Sequence, residues 1–330
     1  MNQDLIVRNE TNSKSMGGTE LLQNRLYDGS VPRALLEQFQ IIFSRVRDLD
    51  DTKYRILYLH DLPGDPESEH LKNGGWDKFH LLVFVSNWQQ QAYINYYGIP
   101  WSKCFVIPNS VIPLAPSKNS EDGKIKLIYT STPHRGLDIL YSVFDALSKK
   151  YDNIELDVYS SFKLYGWEER DAQFQPLFDA LNEHPKINYF GTATNDEVRA
   201  AVSNAQIFAY PSTWPETSCL CLIEAMSAGL LCVHPNYAAL PETAMNLTRM
   251  YAWNEEPNVH ATALYQILDM SIPQFKDDYD FLGLRTQGIL ANDVYNWHRR
   301  ANDWTALLNG IVNSNMSKEL PKASFNYSAS

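Results

Sequence analysis

The chain predicts an α/β fold of two domains, each built on a parallel sheet, and three observations carry that expectation. Apolar runs of strand length end at polar loops: Arg55-Ile-Leu-Tyr-Leu-His60, Leu81-Leu-Val-Phe-Val-Ser86, Lys126-Leu-Ile-Tyr129 and Gln206-Ile-Phe-Ala-Tyr210. Near-continuous runs of this kind mark parallel strands covered on both faces. Helical segments stand between several of them, as crossover connections require. Residues 113–123, Pro-Leu-Ala-Pro-Ser-Lys-Asn-Ser-Glu-Asp-Gly, are turn and linker residues, and the domain boundary falls there.

The composition agrees. At 330 residues the chain can bury two cores, and 44% hydrophobic with 12% aromatic residues is globular composition. A formal net charge of −11 argues against a polyanion as the main partner, since neutralising phosphates needs clustered Lys and Arg. A small basic pocket could still hold a nucleotide. The four cysteines, Cys104, Cys219, Cys221 and Cys232, lie in apolar runs without zinc spacing, which suits core residues of a reducing compartment. The first 20 residues are polar, and no stretch approaches the roughly 18 apolar residues of a membrane span. The expectation is a cytoplasmic protein.

Along the first domain, residues 4–8 (Asp-Leu-Ile-Val-Arg) read as a strand, and a polar loop leads to Met16-Gly17-Gly18-Thr19-Glu20 and a helix over 19–27. Two adjacent glycines at a helix start allow close backbone approach to a ligand, or form a plain turn. Leu35, Leu36, Phe39, Ile42, Phe43 and Val46 recur at helical spacing and predict an amphipathic helix packed on the core. Asp48-Leu-Asp50 and Asp278-Tyr-Asp280 match a loose Asp-x-Asp pattern, which an acidic chain produces readily, so no metal is assigned. His60 ends a strand, where open α/β sheets bind ligands, although a histidine there is also often a hydrogen-bonded loop residue. Ser86 opens a helix that Gly98 ends.

In the second domain, the strand 126–129 runs into Thr130-Ser-Thr-Pro-His-Arg135-Gly136, and a helix follows to Lys150. Leu156-Asp-Val-Tyr159 and Ile187-Asn-Tyr-Phe-Gly191 are further strands, and Thr194-Asn-Asp-Glu197 is a capping box. The stretch that organises the domain is Tyr210-Pro-Ser-Thr-Trp-Pro-Glu216-Thr217-Ser218-Cys219-Leu220-Cys-Leu-Ile-Glu224-Ala-Met-Ser-Ala-Gly229. It reads as the end of a strand, a loop, and a helix with Ser218 as N-cap and Gly229 just past its end. Backbone N–H groups of Ser218, Cys219 and Leu220 would then point at the loop, where the helix dipole favours an anion. Glu224 lies five residues beyond Cys219, about 7.5 Å along a helix, within reach of a ribose attached to a diphosphate held there. Glu216 lies on the other side, where a sugar on the far phosphate would sit. A buried helix with two surface glutamates is the alternative.

The same string resembles the Glu-x7-Glu signature of retaining glycosyltransferases of the GT-B fold, family 4, in its setting of Tyr-Pro-Ser before and Glu-Ala-Met-Ser-Ala-Gly after. Gly98-Ile-Pro with Val106-Ile-Pro-Asn-Ser-Val111, and Trp297-His-Arg-Arg-Ala-Asn-Asp-Trp304, resemble the motifs that close the family's first domain and form its last helix. The resemblance implies two Rossmann-like domains facing a cleft, the N-terminal one abbreviated to about four strands. It places the first domain at 1–112, with a C-terminal helix of about 293–312 packing back on it, the donor domain at 113–292, and a frayed tail at 313–330. It implies a retaining transfer of a sugar from a nucleotide diphosphate sugar (UDP-, GDP- or ADP-linked) to a hydroxyl of a glycan, lipid-linked or small-molecule acceptor, with no cofactor and no metal. Glu216, His60 and Arg135 would be catalytic. Glu224, Thr217, Ser218, Cys219, Leu220, Lys163, Gly191, Gly17 and Gly18 would bind the donor. One departure stands out: the family often has Gly-Arg-Leu-x-x-x-Lys-Gly where this chain has Thr130 at the arginine position and Arg135 at the lysine. Lys163 is the residue expected to supply that missing charge. An epimerase or hydrolase of the same fold, or a catalytically decayed binding or scaffold protein, are the alternatives.

Overall fold

The computed structural model describes residues 17–117, 123–276, 283–314 and 316–320. The strand expected at residues 4–8 and the Asp278-Tyr-Asp280 pattern lie outside them. Contacts divide the chain into two units, Gly18–Ser110 joined by the chain from Trp297 onward, and Val111–Asn296 together with Gly17.

In the first unit, α1 (Gly18–Leu26) and α2 (Arg33–Leu36) precede β1 (Phe39–Phe43), β2 (Tyr54–Leu59), β3 (Leu81–Phe84), α3 (Asn87–Tyr97) and β4 (Cys104–Val106). The four strands form one parallel sheet in the order β1-β2-β3-β4. α3 is capped as the residues require: Ser86 Oγ accepts from Gln89 N at 3.0 Å, and Gly98 ends the helix at φ +66°.

Here the structure corrects the helix expected from Leu35 to Val46. Its first turn is the short α2, and Phe39–Phe43 is strand β1, every residue of which is buried. Phe39, Ile41 and Phe43 face one core cluster, while Ile42 and Val46 face the other. A strand covered on both faces is an unbroken apolar run, and such a run fills helical positions by coincidence. The Asp48-Leu-Asp50 pattern occupies the loop after β1, where Asp50 Oδ1 accepts from Thr52 N and Oγ1 at 2.9 and 2.6 Å.

The C-terminal helix (Trp297–Asn313) belongs to this unit and begins later than the 293 expected. It inserts Trp297, Ala301, Trp304, Leu308 and Ile311, a stripe of spacing three and four, into the cluster beneath β1 and β2. Trp304 meets Tyr58 edge-on at 5.0 Å. The chain beyond does not fray at once: Tyr54 Oη donates to Met316 O at 3.1 Å, and Ser317 O lies 3.0 Å from His80 Nε2. Residues 321–330 of the expected tail lie outside the described residues.

The second unit contains β5 (Ile125–Thr130), α4 (Leu137–Lys150), β6 (Ile154–Tyr159), α5 (Gln175–Glu183), β7 (Ile187–Tyr189), α6 (Asn195–Val202) and β8 (Ile207–Ala209). It continues with α7 (Leu220–Ser227), β9 (Leu231–Pro235), α8 (Leu240–Thr243), β10 (Arg249–Tyr251), α9 (Pro257–Ser271) and α10 (Leu284–Val294). Its six parallel strands lie in the order β10-β9-β8-β5-β6-β7. From β5 the chain winds outward through β6 to β7, then returns to the other side of β5 to lay down β8, β9 and β10. Leu127 of β5 is thus opposite Leu156 of β6 on one side and Ile207 of β8 on the other. The winding reverses between β5 and β8, and the loops leaving the carboxyl ends of those strands diverge there, which opens a crevice in a sheet of this kind.

Candidate functional site

The loops at that switch point are the two that the sequence singles out, Thr130 to Gly136 after β5 and Tyr210 to Cys219 after β8. They are locked together by backbone. Gly136 has φ +92°, and a Cβ placed on it would stand 2.0 Å from Pro211 O, so only glycine lets the loops approach. Thr213 Oγ1 donates to His134 O at 3.1 Å across the same seam.

Within it, Arg135 Nη1 donates to Glu216 Oε1 at 2.8 Å, and Tyr210 Oη donates to the same oxygen at 2.5 Å. Glu216 is only 5% exposed. Burial opposes the charge on Arg135, but the Glu216 carboxylate outweighs it and holds the guanidinium well above its ordinary pKa. Burial, then the same carboxylate, push the Tyr210 phenol well above its ordinary value, so it remains a donor. The result is a carboxylate held by two fixed donors, beside a cation whose Nε is buried without a partner among the described residues.

Two helices start at this crevice with open N-termini. The N-cap of α7 is Cys219, one residue later than the Ser218 expected, and its side chain provides no cap of the Ser, Thr or Asp kind. The N-cap of α4 is Gly136, which has no side chain to offer. By contrast, α6 is closed by the predicted capping box: Glu197 N donates to Thr194 Oγ1 at 3.3 Å and Thr194 N to Glu197 Oε2 at 2.8 Å. The α7 terminus, reached through Thr217 and Ser218, presents Leu220 and Cys221 amides and the positive end of the dipole beside Arg135's loop, to which Cys221 Sγ is tied by a 2.8 Å contact with Thr130 O. That combination can bind an anion.

Glu224, one turn into α7, is held by a residue that sequence reasoning missed. Arg199 Nη1 on α6 donates to Glu224 Oε1 at 3.0 Å, while its Nη2 donates to Ile112 O at 2.8 Å. The two residues are 25 positions apart, and no local pattern announces the pair. Lys163, expected as the second phosphate cation, stands 3.4 Å from Glu168 with both side chains exposed. Gly191 follows β7 at φ +62°, next to Phe190, whose exposed ring stacks on Tyr159 at 4.6 Å.

The remaining expected residues are not gathered with these. Gly18 is the first residue of α1, with Gly17 buried before it. His60 closes β2 in the first unit, its ring stacked on Phe43 at 5.8 Å and edge-on to Tyr58 at 4.2 Å. Burial lowers its pKa to about 3, so it is neutral at any physiological pH.

Comparison with known proteins adds to this geometry. The family described as "Glycosyl transferases group 1" matches residues 114–268, which span both loops, Glu216 and Glu224. The chain carries a glycosyl transferases group 1 domain. A phosphatidylinositol N-acetylglucosaminyltransferase protein of Arabidopsis thaliana is 22% identical over 165 residues, 48% of this chain and 35% of that protein. The chain thus spans about a third of the length of that curated relative. Among solved structures, a glycosyltransferase from Rickettsia africae ESF-5 covers 93% of this chain and 84% of its own at 18% identity and a TM-score of 0.63. The pneumococcal O-GlcNAc transferase GtfA in complex with UDP and GlcNAc covers 79% of this chain and 53% of its own at 14% identity and a TM-score of 0.60. With two parallel sheets of this winding, the fold is GT-B. In the group 1 domain of this chain, the described residues contain no helix long and apolar enough to cross a membrane, nor do those of the first unit.

Proposed function

We propose that the chain is a retaining glycosyltransferase that moves a sugar from a nucleotide diphosphate sugar to a hydroxyl acceptor without a metal. The observation that carries this reading is the meeting of Arg135, Glu216 and Tyr210 at the switch point, beside two uncapped helix N-termini. When the bond between the sugar's anomeric carbon and the diphosphate breaks, negative charge develops on the leaving phosphate oxygen. Fixed positive groups aimed at that charge lower the barrier without reorganising. Arg135 and the α7 amides are such groups, and they supply what a divalent cation would otherwise provide. Glu216, oriented by Tyr210, is placed to hold sugar hydroxyls on the far side of the diphosphate. Glu224, oriented by Arg199, is placed to accept from the ribose. His60, in its neutral form, would contact the donor sugar from the other unit, and Gly191 with the Phe190 ring would border the base.

The solved structures similar in fold include complexes with UDP, which supports a nucleotide-linked donor. Thr130, where a cation is expected, favours the second reading: a binding protein whose chemistry has decayed.

The test is a thermal-shift screen of UDP-, GDP- and ADP-linked sugars, with and without EDTA, on the wild type and Glu224→Ala. A donor at 100 times its dissociation constant adds about 2.7 kcal/mol of apparent stability. The expected outcome is a shift for one nucleotide class, kept in EDTA and lost in the variant. A shift abolished by EDTA would overturn metal independence. Binding without turnover of any donor would favour the decayed site, and a product of inverted anomeric configuration would overturn retention.

A further inference from the structure

The charge absent at Thr130 has a structural counterpart in the segment 161–171. This segment leaves the carboxyl end of β6, the strand paired with β5, so it adjoins the Arg135 loop. It is folded on itself: Asp171 Oδ1 accepts from Phe162 N at 2.8 Å, Asp171 Oδ2 accepts from Ser161 Oγ at 2.5 Å, and Trp167 N donates to Phe162 O at 3.2 Å. It is fastened to the neighbouring loop by Phe162, whose ring stacks on His134 at 5.1 Å and 17°. On this platform the Arg170 guanidinium lies 4.4 Å over the Trp167 ring, which in turn packs 5.2 Å from Tyr165.

Arg170 has no ion pair among the described residues, unlike Lys163, which Glu168 engages. Burial, then Arg135, then Arg170 lower the His134 pKa to about 4, so the two arginines bear on one neutral histidine. At the same strand ends, Thr132 Oγ1 and Ser160 Oγ are buried without a hydrogen-bond partner among the described residues, each residue being 2% exposed. Buried hydroxyls left unsatisfied are costly, and a ligand rich in acceptor oxygens removes that cost.

We infer that Arg170 is the second diphosphate cation of this site, taking the place of the one missing at Thr130, with Thr132 and Ser160 donating to the same group. The inference rests on the nucleotide diphosphate reading above. Stacking on Trp167 fixes the guanidinium plane and leaves its edge free for two parallel bonds to phosphate oxygens. A lysine cannot reproduce either feature.

The experiment is calorimetric titration of the full chain with UDP, GDP and ADP, followed by the matching monophosphate of whichever binds, at two salt concentrations. The variants are Arg170→Gln, Arg170→Lys and Lys163→Gln. Arg170→Gln is expected to weaken the diphosphate about tenfold or more, the monophosphate less than about threefold, and to flatten the salt dependence. Arg170→Lys should recover only part of the loss, and Lys163→Gln should bind as the wild type does. Arg170 is exposed, so the unliganded melting temperature should not move. Equal binding by wild type and Arg170→Gln, or a loss that falls on Lys163→Gln instead, would overturn the inference alone. A folded wild type that binds no nucleoside diphosphate would overturn the donor reading itself, and the inference with it.

Discussion

Arg135 shows how one residue can be legible in sequence while its working partner is not. Its place after an apolar run puts it at a strand's carboxyl end, but Tyr210 and Glu216 meet it only because β8 returns beside β5. Gly136 makes the meeting possible. Replacing it with alanine puts a Cβ 2.0 Å from Pro211 O at φ +92°, which should cost about 3 kcal/mol, at the upper end of ordinary single substitutions. Gly74→Ala is the control, because Gly74 has φ +81° but open space around it. It should cost only the 1–2 kcal/mol or so of a left-handed alanine. Denaturant midpoints of the two variants make the comparison, and equal losses would mean that the two loops do not press on one another.

At the scale of elements, the contrast between α6 and α7 separates stability from function. α6 is self-sufficient through Thr194 and Glu197, whereas α7 leaves its first amides to whatever lies in the crevice. Thr194→Ala should therefore lower stability by about 1 kcal/mol and leave nucleotide binding unchanged, as urea unfolding and titration together would show. The Thr194 box was readable because capping is local: donor and acceptor are three residues apart. β1 was not readable, because what makes Phe39–Phe43 a strand is β2 on its edge and side chains on both its faces. Its residues satisfy helical and strand patterns alike, and only tertiary burial chooses. Arg199 was missed for the same reason at longer range, since its tie to Glu224 exists only once α6 packs beside α7.

For the whole molecule, the buried histidines set the response to acid. Burial lowers His60 to about 3 and His70, His134 and His234 to about 4. In the unfolded chain each titrates near 6.5, so on acidification the unfolded state takes up protons first. The stabilisation is complete above about pH 6.5 and is lost as pH falls from there toward the folded-state values. His234 illustrates the cause: Nδ1–H donates to Pro235 O at 2.9 Å and Nε2 accepts from Thr248 Oγ1 at 2.7 Å, an arrangement that needs the neutral ring. The urea midpoint should drop between about pH 7 and about pH 5, before the carboxylates titrate. A flat profile over that window would show these rings to be solvated.

The sequence by itself determined the parallel strands, the capped helices α3 and α6, and the strand–loop–helix with Glu216 and Glu224 at its two ends. Each of these depends on residues close in the chain: apolar runs, caps three positions apart, a glycine beyond a helix. Only the tertiary structure decided that Arg135 and Tyr210 converge on Glu216, that Arg199 holds Glu224, and that Arg170, among the described residues, stands unpaired beside the crevice while Lys163 does not. Those relations follow from the reversal of winding between β5 and β8 and from the packing of loops on neighbouring strands, which no short stretch of sequence contains.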